Sequence, residues 1–220
     1  MPDAIKNFIS QITEPMTLLT DFILAAFTLV LALKLFAQNK KAAQKIIKFF
    51  ALALSALSVG VFFSGTYHGF KEIVGSVAAD IIWLISGYVL HLIAFFMLLA
   101  GAHLIKTALI KKAINVFAWL KLIVFLGAST LSDAFALILA DYGISIILLS
   151  IIFISLATKN IQKKSAITML LGFGVSVLAG IIQFSGLSPH KYFNNNDLYH
   201  VVQIAGNYLL YLGVKKLKDI

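Results

Sequence analysis

Seven long apolar runs succeed one another along the chain, parted by short polar clusters, at roughly 16–37, 49–68, 77–105, 114–131, 138–157, 166–187 and 198–214. Most reach or approach the ~20 residues that an α-helix needs to cross ~30 Å of hydrocarbon. The pattern predicts an all-α, polytopic membrane protein: a seven-transmembrane-helix bundle occupying residues 1–220 as a single domain. The third run is over-long and has to tilt, or carry its ends beyond the hydrocarbon. The fourth and fifth are the least regular, because Asp133 and Asp141 crowd the turn between them and Lys121 interrupts the fourth.

Composition agrees. The chain is 60% AVILMFWYC and only 12% charged, with a mean hydropathy of +0.96, whereas soluble domains average about 45–50% apolar and about a quarter charged. A soluble globular domain and intrinsic disorder are both excluded. Cysteine is absent, which removes disulfides, thiolate nucleophiles and thiolate metal sites. The net charge is +9, yet every one of the 18 basic residues is Lys. Arg is the usual bidentate reader of phosphate and base edges, so no nucleic-acid partner is expected. The lack of Arg beside abundant Lys, Ile and Asn suggests an AT-rich genome and a bacterial inner membrane.

The lysines orient the spans. Lys34, Lys40, Lys41, Lys45 and Lys48 surround the first connection, Lys106, Lys111 and Lys112 fill the third, and Lys159, Lys163 and Lys164 fill the fifth; Lys215, Lys216 and Lys218 occupy the tail. The other side holds Lys6, Lys71 and Lys191. By the positive-inside rule the N-terminus lies outside and the C-terminus in the cytoplasm. Asp3, Glu14 and Asp21 stand where a cleavable signal would be positive, so the first run reads as a span. Trp83 and Trp119 read as interfacial aromatics.

Ionisable residues inside a membrane are costly and mark functional sites by default. The second run ends Ser64-Gly65-Thr66-Tyr67-His68, which places Ser64 and His68 on one helical face. Asp80 opens the third run. In the seventh, Asn196, His200, Gln203 and Asn207 recur at steps of 4, 3 and 4, a polar stripe that must face the bundle interior. The topology brings His68, Asp80 and His200 to the same outer leaflet. Two imidazoles, a carboxylate and a hydroxyl at one depth suit either a metal site or a hydrogen-bonded cluster between helices. His91, mid-span, and His103, near the inner interface, read as helix–helix hydrogen-bonding residues.

The arrangement resembles the CREST superfamily of seven-span membrane hydrolases, which includes alkaline ceramidases, the adiponectin- and progestin-receptor group with its hemolysin-III relatives, and Per1-type lipid remodelling factors. Ser64-Gly65-Thr66-Tyr67-His68 matches a Ser-x-x-x-His ending the second span, Asp80 an Asp opening the third, and His200 the latter half of a His-x-x-x-His in the seventh. The resemblance implies a zinc-dependent hydrolase acting on a lipid amide or ester near the outer leaflet. His68 and His200 would be zinc ligands, Asp80 would hold or deprotonate the bound water, and Ser64 would support the site. The sequence departs from the pattern at Asn196, which stands where the family has a third His. His190 in the outer loop, Asp80 or Asp197 could supply that ligand; alternatively no metal binds, and Asn196 or Asp197 caps the seventh helix.

Two further classes stay open. A family member that has lost a metal ligand would be a non-catalytic seven-span receptor, with a membrane lipid as ligand, or a structural scaffold protein. A transporter could run a charged pathway through Lys121, Asp21 and Asp141, against which Lys121 can snorkel to the cytoplasmic side and no inverted repeat is evident.

Overall fold

In the computed structural model of the chain, residues 10–132 and 135–220 are described; the expectations placed on Asp3, Lys6 and Asp133 lie outside them. Seven helices overlap the seven apolar runs: α1 Pro15–Ala42, α2 Lys45–Val74, α3 Ser76–Ala102, α4 Ala108–Leu131, α5 Phe135–Thr158, α6 Lys163–Ser185 and α7 Asn195–Val214. Among the described residues there is no strand, only an isolated bridge between His190 and Phe193 in the loop before α7. The protein is therefore all-helical. Helices α1 to α6 are long and apolar enough to cross a membrane. The 20 residues of α7 would span about 30 Å at 1.5 Å per residue, but its first half carries Asn195, Asn196, Asp197, His200 and Gln203.

The outward faces support a lipid environment. Leu33, Leu120, Ile123, Val124, Ile147, Ile151 and Leu171 all lie more than half exposed. A helix apolar on every side belongs in a membrane or a large core. The polar residues have instead turned inward.

Consecutive helices pack side by side through short connections, so they alternate in direction. Packing is closest in the pairs α2–α3, α1–α2 and α6–α7, and α7 closes the bundle against α1. Gly75 is the whole connection between α2 and α3, with φ +81°, a backbone that a residue with a Cβ rarely adopts. Helices α6 and α7 touch backbone to backbone: a Cβ on Gly172 would sit 3.1 Å from the Leu210 backbone nitrogen and 2.7 Å from its side chain. Small residues that let helices approach are the usual device where lipid removes the hydrophobic drive for association.

The lysine-bearing end is tied by the C-terminal segment. Asp219 accepts from the Lys45 and Ile46 backbone N–H groups at 2.8 and 2.9 Å, capping α2, and Ile220 N–H donates to the His103 carbonyl at 2.9 Å. The His103 ring stacks on Phe49 at 5.7 Å. Between the two ends lies a core of Leu24, Leu35, Phe50, Leu98, Leu149, Phe153 and Phe173.

Candidate functional site

At the end opposite the lysine-rich connections, two polar stripes face each other. One is the predicted α7 stripe, of which His200, Gln203 and Asn207 are buried. The other is on α1, where Thr17, Thr20, Asp21 and Thr28 lie buried on one face. Thr20 Oγ1 stands 2.9 Å from His200 Nδ1, and Asp21 Oδ1 stands 3.1 Å from His200 Nε2. The carboxylate favours the ring proton on Nε2, leaving Nδ1 to accept from the threonine hydroxyl. The Ser64 hydroxyl also faces Asp21. Even so, neither carboxylate oxygen of Asp21 has a well-directed hydrogen-bond partner, although the residue is wholly buried. Gly65 is what admits α1 so closely: a Cβ there would lie 2.8 Å from the Asp21 Cβ.

Asp197 and Asn194 form a capping box at the start of α7. The Asn194 side chain accepts from the N–H groups of Asn196 and Asp197, and Asp197 Oδ2 accepts from the Asn194 N–H at 2.8 Å. Asp197 Oδ1 accepts from Thr17 at 3.0 Å, which ties the cap to α1. Both carboxylate oxygens are thus used in holding α7 in place.

His68, at the end of α2, donates from Nδ1 to Glu14 at 3.1 Å, and Lys71 reaches the other Glu14 oxygen at 2.9 Å. The His68 bond first, with Lys71 beside it, holds the Glu14 carboxyl well below its ordinary value, at about 2. Thr13 adds a hydroxyl bond to the His68 carbonyl at 2.8 Å, so the segment before α1 is strapped to the end of α2. Tyr67 and Trp83 pack around the imidazole.

These groups surround a cavity of about 150 Å³. Asp21, Ser64, His68, Asn196, His200 and Gln203 form its polar side, and Leu57, Val61, Leu90, Ile138 and Leu139 its apolar side. Asn196 accepts from Gln183 at 2.6 Å, so the Gln183 bond does not use its amide hydrogens. Leu57, Ile93 and Tyr142 also line a narrow apolar seam that continues inward past Met97 and Leu210.

Of the residues singled out in the sequence, Ser64, His68, Asn196, His200 and Gln203 thus share one cavity. Asp197 sits behind it as a cap, and Asn207 lines the seam. Asp80 does not join them: it is exposed and lines a separate crevice between α3 and α4. His190 is exposed in the loop between α6 and α7, where Nδ1 accepts from the Tyr192 N–H at 3.3 Å. The carboxylate in the site is Asp21, which the sequence motifs do not single out for it. Its signal was present: Thr17, Thr20, Asp21 and Thr28 repeat at 3-, 1- and 7-residue steps, one face of an otherwise apolar helix. Glu14, Thr20 and Gln183 were not singled out for the site, since none carries a motif.

The donor types around the cavity, two imidazoles and a carboxylate, are ones that zinc accepts. Among the described residues no three His, Cys, Asp or Glu side chains are grouped closely enough to hold an ion as they stand. His200 Nδ1 is taken by Thr20 and Nε2 stands 3.1 Å from Asp21 Oδ1, while His68 is turned through Nδ1 to Glu14.

Lys121 does not snorkel. Its side chain is 4% exposed and ion-paired with Asp141, which also stands 2.7 Å from His91 Nδ1. This second cluster joins α3, α4 and α5, apart from the cavity.

No curated protein and no solved structure shows significant similarity to the chain. A model described as "Family of unknown function (DUF6962)" matches residues 16–219, and the protein belongs to that family.

Proposed function

We propose that the protein spans the membrane seven times, with its N-terminus outside and C-terminus in the cytoplasm, and hydrolyses the amide or ester bond of a lipid held in the cavity between α1, α2 and α7. The observation that carries the reading is the buried Asp21 carboxylate, without a well-directed partner, opening onto a cavity whose opposite wall is apolar. A buried carboxylate in that state favours a ligand that brings hydrogen-bond donors. A lipid head group or a water supplies them, and an acyl chain suits Leu57, Val61 and the seam beyond.

The chemistry follows from the same groups. A water held by Asp21 gives its proton to that carboxylate as its oxygen attacks the carbonyl carbon. His200 Nε2–H orients the Asp21 carboxylate, and the proton on Asp21 passes to the departing amine or alcohol as its bond to the carbonyl carbon breaks, leaving the carboxylic acid. Asn196, which lines the cavity, offers its amide hydrogens to the developing carbonyl oxyanion. No step is assigned to zinc, because the ligands as they stand are not grouped for it.

Purified protein in lipid micelles, offered N-acyl amides and fatty-acyl esters, tests this by mass spectrometry of the products. Asp21→Asn and His200→Gln are each expected to lower turnover by about a hundredfold or more, with the fold retained. Undiminished hydrolysis in both variants overturns the assignment. Zinc bound by the wild type and lost in His68→Ala and His200→Ala would transfer the chemistry to a metal that draws these side chains together. A second reading, lipid binding without turnover, is favoured by Thr20, which occupies His200 Nδ1 at 2.9 Å. Intact lipid retained by the wild type and lost from Asp21→Asn, with no product formed, would select it.

A further inference from the structure

The second buried cluster has an order of its own. His91 of α3 is 1% exposed. Its Nδ1 lies 2.7 Å from Asp141 Oδ2 on α5, and its Nε2 lies 2.9 Å from Ser129 Oγ on α4. Asp141 Oδ1 is paired with Lys121, whose ammonium also reaches the Asp141 carbonyl at 3.3 Å. Ser145 donates to that same carbonyl at 3.3 Å, and Phe125 lies against both the imidazole and the ammonium.

Hydroxyl, imidazole and carboxylate therefore stand in series, each on a different helix, with the two ring nitrogens facing opposite partners. A carboxylate in an apolar interior stays charged when a cation is beside it, and Lys121 is that cation. Charged Asp141 accepts the Nδ1 proton of His91, and this fixes the tautomer in which Nε2 carries the lone pair toward the Ser129 hydroxyl. These are the roles that activate a serine: nucleophile, base and the group that orients the base.

Holding helices together accounts for His91, Asp141 and Lys121. It does not account for where the series ends. Ser129 is only half-buried and opens onto a crevice of about 330 Å³ between α3, α4 and α5, at the bundle end opposite the lysine-rich connections. Trp83, Leu84 and Ile138 give the crevice apolar walls, and Asp80 lies at it, exposed. That charge disfavours an anionic head group and suits a neutral or cationic one.

We propose that Ser129 is a nucleophile that accepts the acyl group of a neutral or cationic-headed carboxylic ester, with His91 as its base and Asp141 and Lys121 as positioning residues. Ser129 Oγ bonds to the ester carbonyl carbon while its proton moves to His91 Nε2. Collapse of the tetrahedral adduct breaks the bond to the alkoxy oxygen, which leaves as an alcohol with the proton from Nε2. Water then attacks the acyl-serine, gives its proton to Nε2, and releases the carboxylic acid as that proton returns to Ser129 Oγ.

The test uses the full chain in detergent micelles with a fluorophosphonate probe, read by intact mass and peptide mapping. The expected result is one adduct, on Ser129, absent in Ser129→Ala and formed about a hundredfold or more slowly in His91→Gln. Because His91→Gln disturbs a buried contact, its micellar elution profile is compared with that of the wild type. If it does not fold, turnover of a short neutral p-nitrophenyl ester in the Asp21→Asn background, which silences the first cavity, decides the matter through Ser129→Ala, which removes one half-buried hydroxyl. No adduct on Ser129, an adduct whose rate ignores His91→Gln in folded protein, or ester turnover in the Asp21→Asn background that survives Ser129→Ala overturns the proposal.

Discussion

Replacing Lys121 by Met tests whether the interior of the bundle holds a true ion pair. The Lys121 and Asp141 side chains are 4% and 1% exposed, so removing the ammonium strands a carboxylate with His91 as its remaining side-chain partner. Breaking a buried pair from one side costs about 3–5 kcal/mol. A Lys that reached the interface would cost about 0.5 kcal/mol or less when replaced. The two cases are therefore separated by several kcal/mol. Unfolding in mixed micelles with rising SDS, followed by the fluorescence of Trp119, which packs on Phe95 at 4.6 Å, reads the difference. The double variant Lys121→Met/Asp141→Asn is the sharper half of the experiment. It removes both charges and keeps an acceptor for His91 Nδ1–H, and neutral replacement of a whole buried pair is often without cost. We expect it to recover about 2 kcal/mol or more of the single variant's loss. A Lys121→Met protein as stable as the wild type, or a double variant no better than the single, refutes the reasoning.

The strap before α1 should be acid-sensitive. Glu14 has its pKa lowered from 4.5 to about 2 on folding, so its stabilising contribution is complete above pH 4.5 and is lost as the pH falls toward 2. Thermal melts between pH 6 and 3 should show the wild type losing its advantage over Glu14→Gln across that window, and a constant gap would contradict the pairing. Gly172→Val should separate α6 from α7, because even a bare Cβ falls 3.1 Å from the Leu210 backbone; a loss of about 1–3 kcal/mol is expected in the same SDS titration. Asn194→Ala removes the acceptor for two N–H groups at the start of α7. It should cost about 1 kcal/mol and, on the proposed function, lower lipid turnover as well, since the cap holds the helix that carries His200.

Much of the architecture can be read along the chain. Polar clusters interrupt the apolar runs at the places where helices end, because an unpaired backbone is tolerated only near water. The helices overlap every expected run, extending a few residues beyond most of them as their ends continue into polar surroundings. The inward face of α7 was also legible, since a repeat of 4, 3 and 4 leaves one face for Asn196, His200, Gln203 and Asn207. The same rule applied to α1 would have found Asp21 among its threonines.

What the chain could not show was how each helix turns about its axis and which helix it meets. Asp80 illustrates this. Depth placed it with His68 and His200, but a helix advances about 100° per residue, and the packing of α3 on α2 and α5 turns Asp80 away from them, into the crevice that Ser129 shares. Asp21 and His200 are 179 positions apart and meet because α7 closes the bundle against α1. Lys121, Asp141 and His91 each have an ordinary explanation when taken alone: a snorkelling cation, a boundary carboxylate, a hydrogen-bonding histidine. Periodicity sets which residues share a face of one helix and hydropathy sets where that helix ends, so the sequence by itself determined an inward-polar, outward-apolar set of helices. Close packing selects the rotation and neighbours of each helix through contacts such as Gly65 on Asp21 and Gly172 on Leu210. Only that tertiary choice decided that the polar residues gather into two separate sites.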